Sequence, residues 1–330
     1  MGRPGRRTAL ILWIAAIAVA YFATGQVGLR MALVGGQVTA LWPPTGIGVA
    51  CLLLLGLRAW PGIALGAFAV NILLGPTLPA VLIIAAGNTA APIIAYLLLQ
   101  RAGFQRDFDR IKDALALVFL GALTGMLVSS TVGSLTLFVS GRLAARDLTQ
   151  IWAVWWTGDA MGVLTVTPLI LLMTAGKPKK VKPVRAVEAT ALITGTLLVV
   201  LVATTVSTNL LFLVFPFVIW AAMRFHLAGA IPCAFIASAA TTYAASRDFP
   251  AFADLDLTTK MIALQAFNGS IALTALLHAT ITAQRDRARR AVDEVCVQLL
   301  ESVAVLNRDR TLENLTDLER RLHGLGDQSP

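Results

Sequence analysis

Charge and cysteine are both scarce in this chain of 330 residues. Charged residues make up 14% of it, against 57% apolar residues, and the mean hydropathy is +0.76. Soluble domains carry about 25% charged residues. The composition therefore excludes an ordinary water-soluble protein and predicts an all-α polytopic membrane protein. The three cysteines and three histidines are scattered along the chain, so we predict no disulfide framework, no metal site and no cofactor.

The basic residues are unevenly distributed. They are not interleaved with aromatic residues, so we exclude nucleic acid as a partner. With the N-terminus inside the cell, the inner segments hold 22 of the 27 lysines and arginines and the outer segments hold 5. Because positive charge favours the cytoplasmic side of a membrane, both termini are predicted to be cytoplasmic.

Ten apolar runs are candidates for membrane spans. The eighth is short, so we predict about eight to ten transmembrane helices. Arginines before the first run fit either a cleavable signal peptide or a retained first helix, and we favour the retained helix because more spans follow. Residues 26–40 are weakly amphipathic and are predicted to form an external loop or a surface segment. The runs cover approximately residues 8–24, 42–56, 62–75, 78–99, 114–139, 151–173, 187–206, 210–223, 228–245 and 258–283.

One acidic residue, Asp159, falls well inside an apolar run. A carboxylate at that depth costs about 2.5–3.5 kcal/mol unless it has a partner, so it should face protein or water. Trp152, Trp156 and Asp159 are spaced four and three residues apart, which places them on one face of a helix. The residue is either part of a signal or ligand site or a structural, hydrogen-bonded aspartate.

Other residues with unusual chemistry lie in the apolar runs. Paired prolines suit the start of a helix as well as a binding site, and asparagines in hydrocarbon serve helix packing or binding. Glycine and serine recur every fourth residue at 62–66 and 121–133, which predicts close packing of helices. The candidate signal or ligand residues are Trp42, Pro43, Pro44, Asn71, Asn88, Trp152, Trp155, Trp156 and Asp159.

The tail from residue 284 to 330 is the one sizeable soluble segment. It begins with four arginines suited to anionic lipid headgroups. An apolar stripe follows, too short to predict a coiled coil, so the helix lies on the membrane or docks a partner or a second copy. The stripe is Val292, Val295, Leu299 and Leu306.

Five short motifs follow one another along the chain. They are Trp42-Pro-Pro-x-Gly46, Trp60-Pro-Gly62, Asn71, Gly87-Asn-Thr89 and Trp155-Trp-x-Gly-Asp159-x-x-Gly162. Taken in this order, they resemble the MASE1 family of bacterial integral-membrane sensory domains. The resemblance implies a sensor of eight to ten helices in the plasma membrane, joined through a cytoplasmic helix to a histidine kinase or a cyclic-di-nucleotide enzyme. Where the family often has an acidic residue, this chain has Ala90, Ala91 and Pro92.

These observations predict a sensory membrane domain over 1–283 and a signalling tail over 284–330. Because 47 residues are too few for an output domain, we expect a separate partner such as a histidine kinase, or a homodimer, besides the lipid bilayer. The signal, a small molecule or a membrane state, is unknown. A transporter or permease is the alternative, although no inverted repeat supports it. An enzyme using Asp159 would need a second titratable group in the spans, so we expect no enzymatic activity.

Overall fold

The computed structural model describes residues 6–32, 39–74, 77–175, 183–206 and 210–326, with side chains as far as Val303. Within these ranges the secondary structure is helical and no strand occurs. The helices are α1 Arg6–Arg30, α2 Pro43–Leu55, α3 Trp60–Ile72, α4 Leu78–Arg101, α5 Ile111–Ala116, α6 Leu127–Val139, α7 Leu148–Thr174, α8 Pro183–Thr205, α9 Phe215–Phe225, α10 Leu227–Ser246, α11 Pro250–Ala253 and α12 Leu257–Gly326.

The predicted all-α polytopic fold is confirmed. Each of the ten apolar runs forms helix, and eight helical stretches of the described residues are long and apolar enough to cross a membrane. That count treats Pro43–Ile72 as a single stretch and leaves out the shorter apolar stretch Leu211–Phe225.

The reversal between α2 and α3 is visible in their contacts with α1. The start of α2 packs near the end of α1, where a Cβ on Gly28 would lie 2.9 Å from Trp42 Cε3. Along α3, Gly62 packs against Ile17 and Gly66 against Tyr21, so α3 runs parallel to α1. The chain turns at a 3₁₀ segment that begins with Gly56, whose φ of +73° suits glycine. The predicted close approach at residues 62–66 is therefore a contact with α1.

A π-helical segment, Leu117–Thr124, joins α5 to α6 in place of continuous α-helix. The wider turn leaves the carbonyl of Leu123 available, and the indole Nε1 of Trp156 donates to it at 2.7 Å. The small residues at 121–133 divide between two neighbours. Gly125 packs against Ala95 of α4, whereas Gly133 packs against Trp155 of α7.

Two boundaries differ from the sequence prediction. Helix α1 extends to Arg30, so the first residues of the predicted loop at 26–40 are helical, because Gly28 lets this end of α1 pack on Trp42. Helix α12 continues to Gly326, beyond the stripe that ends at Leu306. Residues 176–182 of the predicted basic hinge lie outside the described residues. By their contacts, the residues divide into one unit at Met1–Thr282 and a second at Ala283–Pro330.

Candidate functional site

The carboxylate of Asp159 is held between three helices. Its side chain is buried on α7, with the residue 2% exposed. Thr45 Oγ1, on α2, donates to Asp159 Oδ1 at 2.7 Å, and Ser129 Oγ, on α6, makes a short hydrogen bond to Oδ2. Among the described residues, no lysine, arginine or histidine forms an ion pair with this carboxylate. Two neutral hydroxyls therefore satisfy its hydrogen bonding and leave its charge without a counter-ion.

The hydroxyl of Ser129 has two acceptors in reach and only one proton. Its Oγ lies 3.0 Å from the carbonyl oxygen of Met126 as well as beside Asp159. When Asp159 is ionised, the Ser129 proton belongs to the carboxylate. When Asp159 is protonated, the acid can donate to Ser129, which then donates to Met126. The charge of Asp159 thus determines whether Ser129 donates to Asp159 or to the carbonyl oxygen of Met126, the residue before α6.

The glycines around Asp159 are required by backbone-to-backbone packing. Trp42 N donates to Gly158 O at 3.0 Å. A Cβ on Gly162 would lie 1.9 Å from Trp42 O, and one on Gly158 would lie 2.3 Å from Thr39 O. A Cβ on Gly46 would likewise lie 2.2 Å from Gly162 O. The motif at residues 42–46 therefore packs, backbone against backbone, on the motif at residues 155–162. We call this contact the interlock.

A cavity of about 40 Å³ opens beside this interlock. Trp155, four residues before Asp159, packs on Gly133 and lines the cavity. A Cβ on Gly133 would lie 2.4 Å from the indole of Trp155. Asn71 Nδ2 donates to Ala67 O at 2.8 Å, so the amide oxygen of Asn71 remains available as an acceptor. Apolar side chains complete the wall. The polar and aromatic lining residues are Thr39, Trp42, Asn71, Asn88, Trp155 and Asp159.

Five of the nine signal or ligand residues predicted from the sequence thus line this cavity. They are Trp42, Asn71, Asn88, Trp155 and Asp159.

The other four candidates lie outside the lining of the cavity. Trp152 and Trp156 stack on each other at 5.6 Å, and Trp152 Nε1 donates to Thr131 Oγ1 on α6. These two tryptophans and Asp159 all bond to residues between 123 and 131, whereas Trp155 lines the cavity. Pro43 and Pro44 occupy the first turn of α2, where a missing N–H costs nothing.

Sequence analysis missed several residues of the site. Thr45 and Ser129 carry no charge, and only their positions in the W-P-P-T-G motif and the small-residue repeat marked them. Thr39 lies in the segment predicted as a loop. Tyr21, which is 1% exposed, lies near Trp42 and Asp159. The sequence feature that could have indicated Tyr21 is the presence of a tyrosine within the first apolar run.

The segment 39–42 also contacts the last long helix. Gln265 Nε2, on α12, donates to Ala40 O at 3.2 Å. One side of the segment therefore lines the cavity and packs on α7, while its backbone is hydrogen-bonded to α12. Helix α12 is also hydrogen-bonded to α7 directly, through Gln150 Nε2 and Thr258 Oγ1 at 2.9 Å, away from the cavity.

Fold and site together define a polytopic helical membrane protein with a buried carboxylate in a small aromatic and polar cavity. A search of the described residues finds no group of acidic, histidine or cysteine side chains that could hold a metal. The MASE1 family model matches residues 13–285, and the chain belongs to that family. MASE1 domains are membrane-associated sensory domains, so the chain has a membrane sensory role. No curated protein and no solved structure matches it.

Proposed function

We propose that the cavity at Asp159 receives the signal and that α12 relays it to a partner such as a histidine kinase. The observation that carries the proposal is the segment 39–42, which lines the cavity on one side and is hydrogen-bonded to α12 through Gln265 on the other. In this proposal the protein lies in the bacterial plasma membrane, as its resemblance to MASE1 sensory domains implies, and the charge distribution favours a cytoplasmic location for both termini.

The relay starts at the wall of the cavity. A guest that contacts Trp42 favours one position of the 39–42 segment, and the Ala40 carbonyl transmits that position to Gln265. A signal shifts such an equilibrium only by its difference in affinity for the two positions. A change of about 1–3 kcal/mol, typical of coupled sites, is sufficient for a 5- to 150-fold response.

The tail provides the surface for the partner. Val292, Val295 and Leu299 are 61%, 54% and 60% exposed and recur on one face of α12. The side chain of Leu306, the fourth residue of the predicted stripe, lies outside the described residues. This face docks a cytoplasmic signalling protein or a second copy of the chain.

In-cell cross-linking tests the proposal. A photo-reactive residue at Val295 or Leu299 should capture a second copy or a cytoplasmic protein. Val297, which is 53% exposed on the opposite face, is the matched control. Asp159→Asn keeps the shape of the side chain and should preserve insertion while changing the cross-link yield. Capture of lipid alone, or equal yields in the wild type and the variant, would contradict the relay.

A further inference from the structure

We propose that the cavity at Asp159 is specific for a small organic cation, such as a protonated amine or a methylated ammonium group. This inference rests on the proposed function, since it names the chemical class of the signal. Two independent features carry it. One is the uncompensated charge of the carboxylate, and the other is the placement of two tryptophans against the same space.

The electrostatics favour a positive guest. Asp159 is buried, and both of its oxygens accept hydrogen bonds from hydroxyls that bring no charge. A buried carboxylate without a counter-ion is destabilised strongly by loss of hydration. The lining of the cavity includes no lysine, arginine or histidine. A cationic ligand would supply the missing charge, whereas an anion would meet repulsion.

The aromatic residues favour an organic cation over a hydrated metal ion. Tryptophan attracts cations through the negative face of its ring, most strongly where water is excluded. Both Trp42 and Trp155 line the cavity. Glycines leave space for the two rings, since a Cβ on Gly28 would lie 2.9 Å from Trp42 and a Cβ on Gly133 would lie 2.4 Å from Trp155. Packing therefore positions both rings against the cavity.

The other polar groups of the lining include an acceptor for N–H donors on the guest. The amide nitrogen of Asn71 is bonded to Ala67 O, and the oxygen of that amide is available as an acceptor. The free volume of about 40 Å³ limits the guest to a few heavy atoms. Binding of a cation also holds Asp159 in its ionised form, which draws the proton of Ser129 away from Met126 and toward the carboxylate.

A fluorescence titration of the purified full chain in detergent tests the assignment. Methylammonium chloride is the probe, with methanol as its uncharged counterpart and sodium chloride at equal ionic strength. We expect a saturable change in tryptophan emission with methylammonium alone. Asp159→Asn should weaken binding more than about tenfold, because it removes the charge and keeps the shape. Trp155→Phe should weaken it less, and Trp220→Phe, on an exposed surface, should leave affinity unchanged.

Equal responses to methylammonium and to methanol or sodium would overturn the assignment, as would unchanged affinity in both Asp159→Asn and Trp155→Phe. If Asp159→Asn does not elute as a monodisperse species, Trp155→Phe and the comparison of probes decide the matter. Failure of this inference is distinguishable from failure of the relay. Cross-links at Val295 that change in Asp159→Asn without any cation binding would reject the ligand class alone. Cation binding without a change in cross-links would reject the relay.

Discussion

The interlock between Gly162 and the backbone at Trp42 provides the sharpest test of the structure. In Gly162→Ala the new Cβ would lie 1.9 Å from Trp42 O and 2.8 Å from Trp42 C. These are backbone atoms, so no side-chain rotation relieves the clash. The segment 39–42 must move away from α7 by more than an ångström. That movement stretches the hydrogen bond from Trp42 N to Gly158 O, which is 3.0 Å long.

The expected loss of stability follows from three contributions. Overpacking in a well-packed interior costs about 1–3 kcal/mol, and a clash with backbone belongs at the upper end. Loss of the Trp42 hydrogen bond costs about 1 kcal/mol. Against this, alanine is favoured over glycine inside a helix by about 1 kcal/mol. We therefore expect Gly162→Ala to lose about 3 kcal/mol, which corresponds to a fall in Tm of about 5 °C for a chain of this size.

Thermal unfolding in detergent, followed by the loss of the monodisperse peak in size-exclusion chromatography, measures this effect. Gly269→Ala is the matched control, since its Cβ would meet no atom closer than Met161 Cε at 4.0 Å. That variant should be as stable as the wild type or slightly more stable. Equal Tm values for Gly162→Ala and Gly269→Ala would refute the interlock.

Three further predictions concern the ends of the protein and its last helix. A fluorescent protein fused to the C-terminus should fluoresce and a periplasmic reporter there should be inactive, and the reverse pattern would overturn the cytoplasmic orientation. Val295→Glu and Leu299→Glu should abolish partner capture without lowering membrane assembly, whereas Val297→Glu should leave capture intact. Hydrogen bonds from Thr259 lower the pKa of Asp256, beside the start of α12. The stability that Asp256 contributes is therefore complete above the usual aspartate pKa, and it is lost as the pH falls through the lowered pKa. Thermal unfolding from pH 6 to pH 3 should show this loss in the wild type and a smaller one in Asp256→Asn.

The sequence predicted the helices well because each span is recorded locally in its own apolar run. The site was harder, because its partners are far apart in the chain. Asp159 bonds to Thr45, 114 residues away, and to Ser129, 30 residues away. No periodicity within one run encodes these contacts.

The choice of Trp155 as the tryptophan that lines the cavity could not be predicted, for a related reason. Helical spacing places Trp152 and Trp156 on one face with Asp159, and equally places Trp155 beside it. The choice depends on the neighbours. The free carbonyl of Leu123 in the π-helical segment bonds Trp156, and the space at Gly133 admits Trp155. Neither feature is visible from the sequence of α7.

The contact between Ala40 and Gln265 is the weakest step in the proposed relay, and this makes it the best place to interrupt the relay. Close backbone contacts at Gly158 and Gly162 join the 39–42 segment to α7, whereas one neutral hydrogen bond of about 1 kcal/mol joins it to α12. Gln265→Leu removes that bond.

The same substitution also removes the buried Oε1 of Gln265, which has no hydrogen-bond partner, so stability should change by less than about 1 kcal/mol. We expect methylammonium affinity to be unchanged and the dependence of Val295 cross-links on Asp159 to disappear. Gln150→Leu removes a direct hydrogen bond between α7 and α12 and should keep that dependence. If Gln265→Leu still responds, or if Gln150→Leu does not, the signal reaches α12 by a route other than the 39–42 segment.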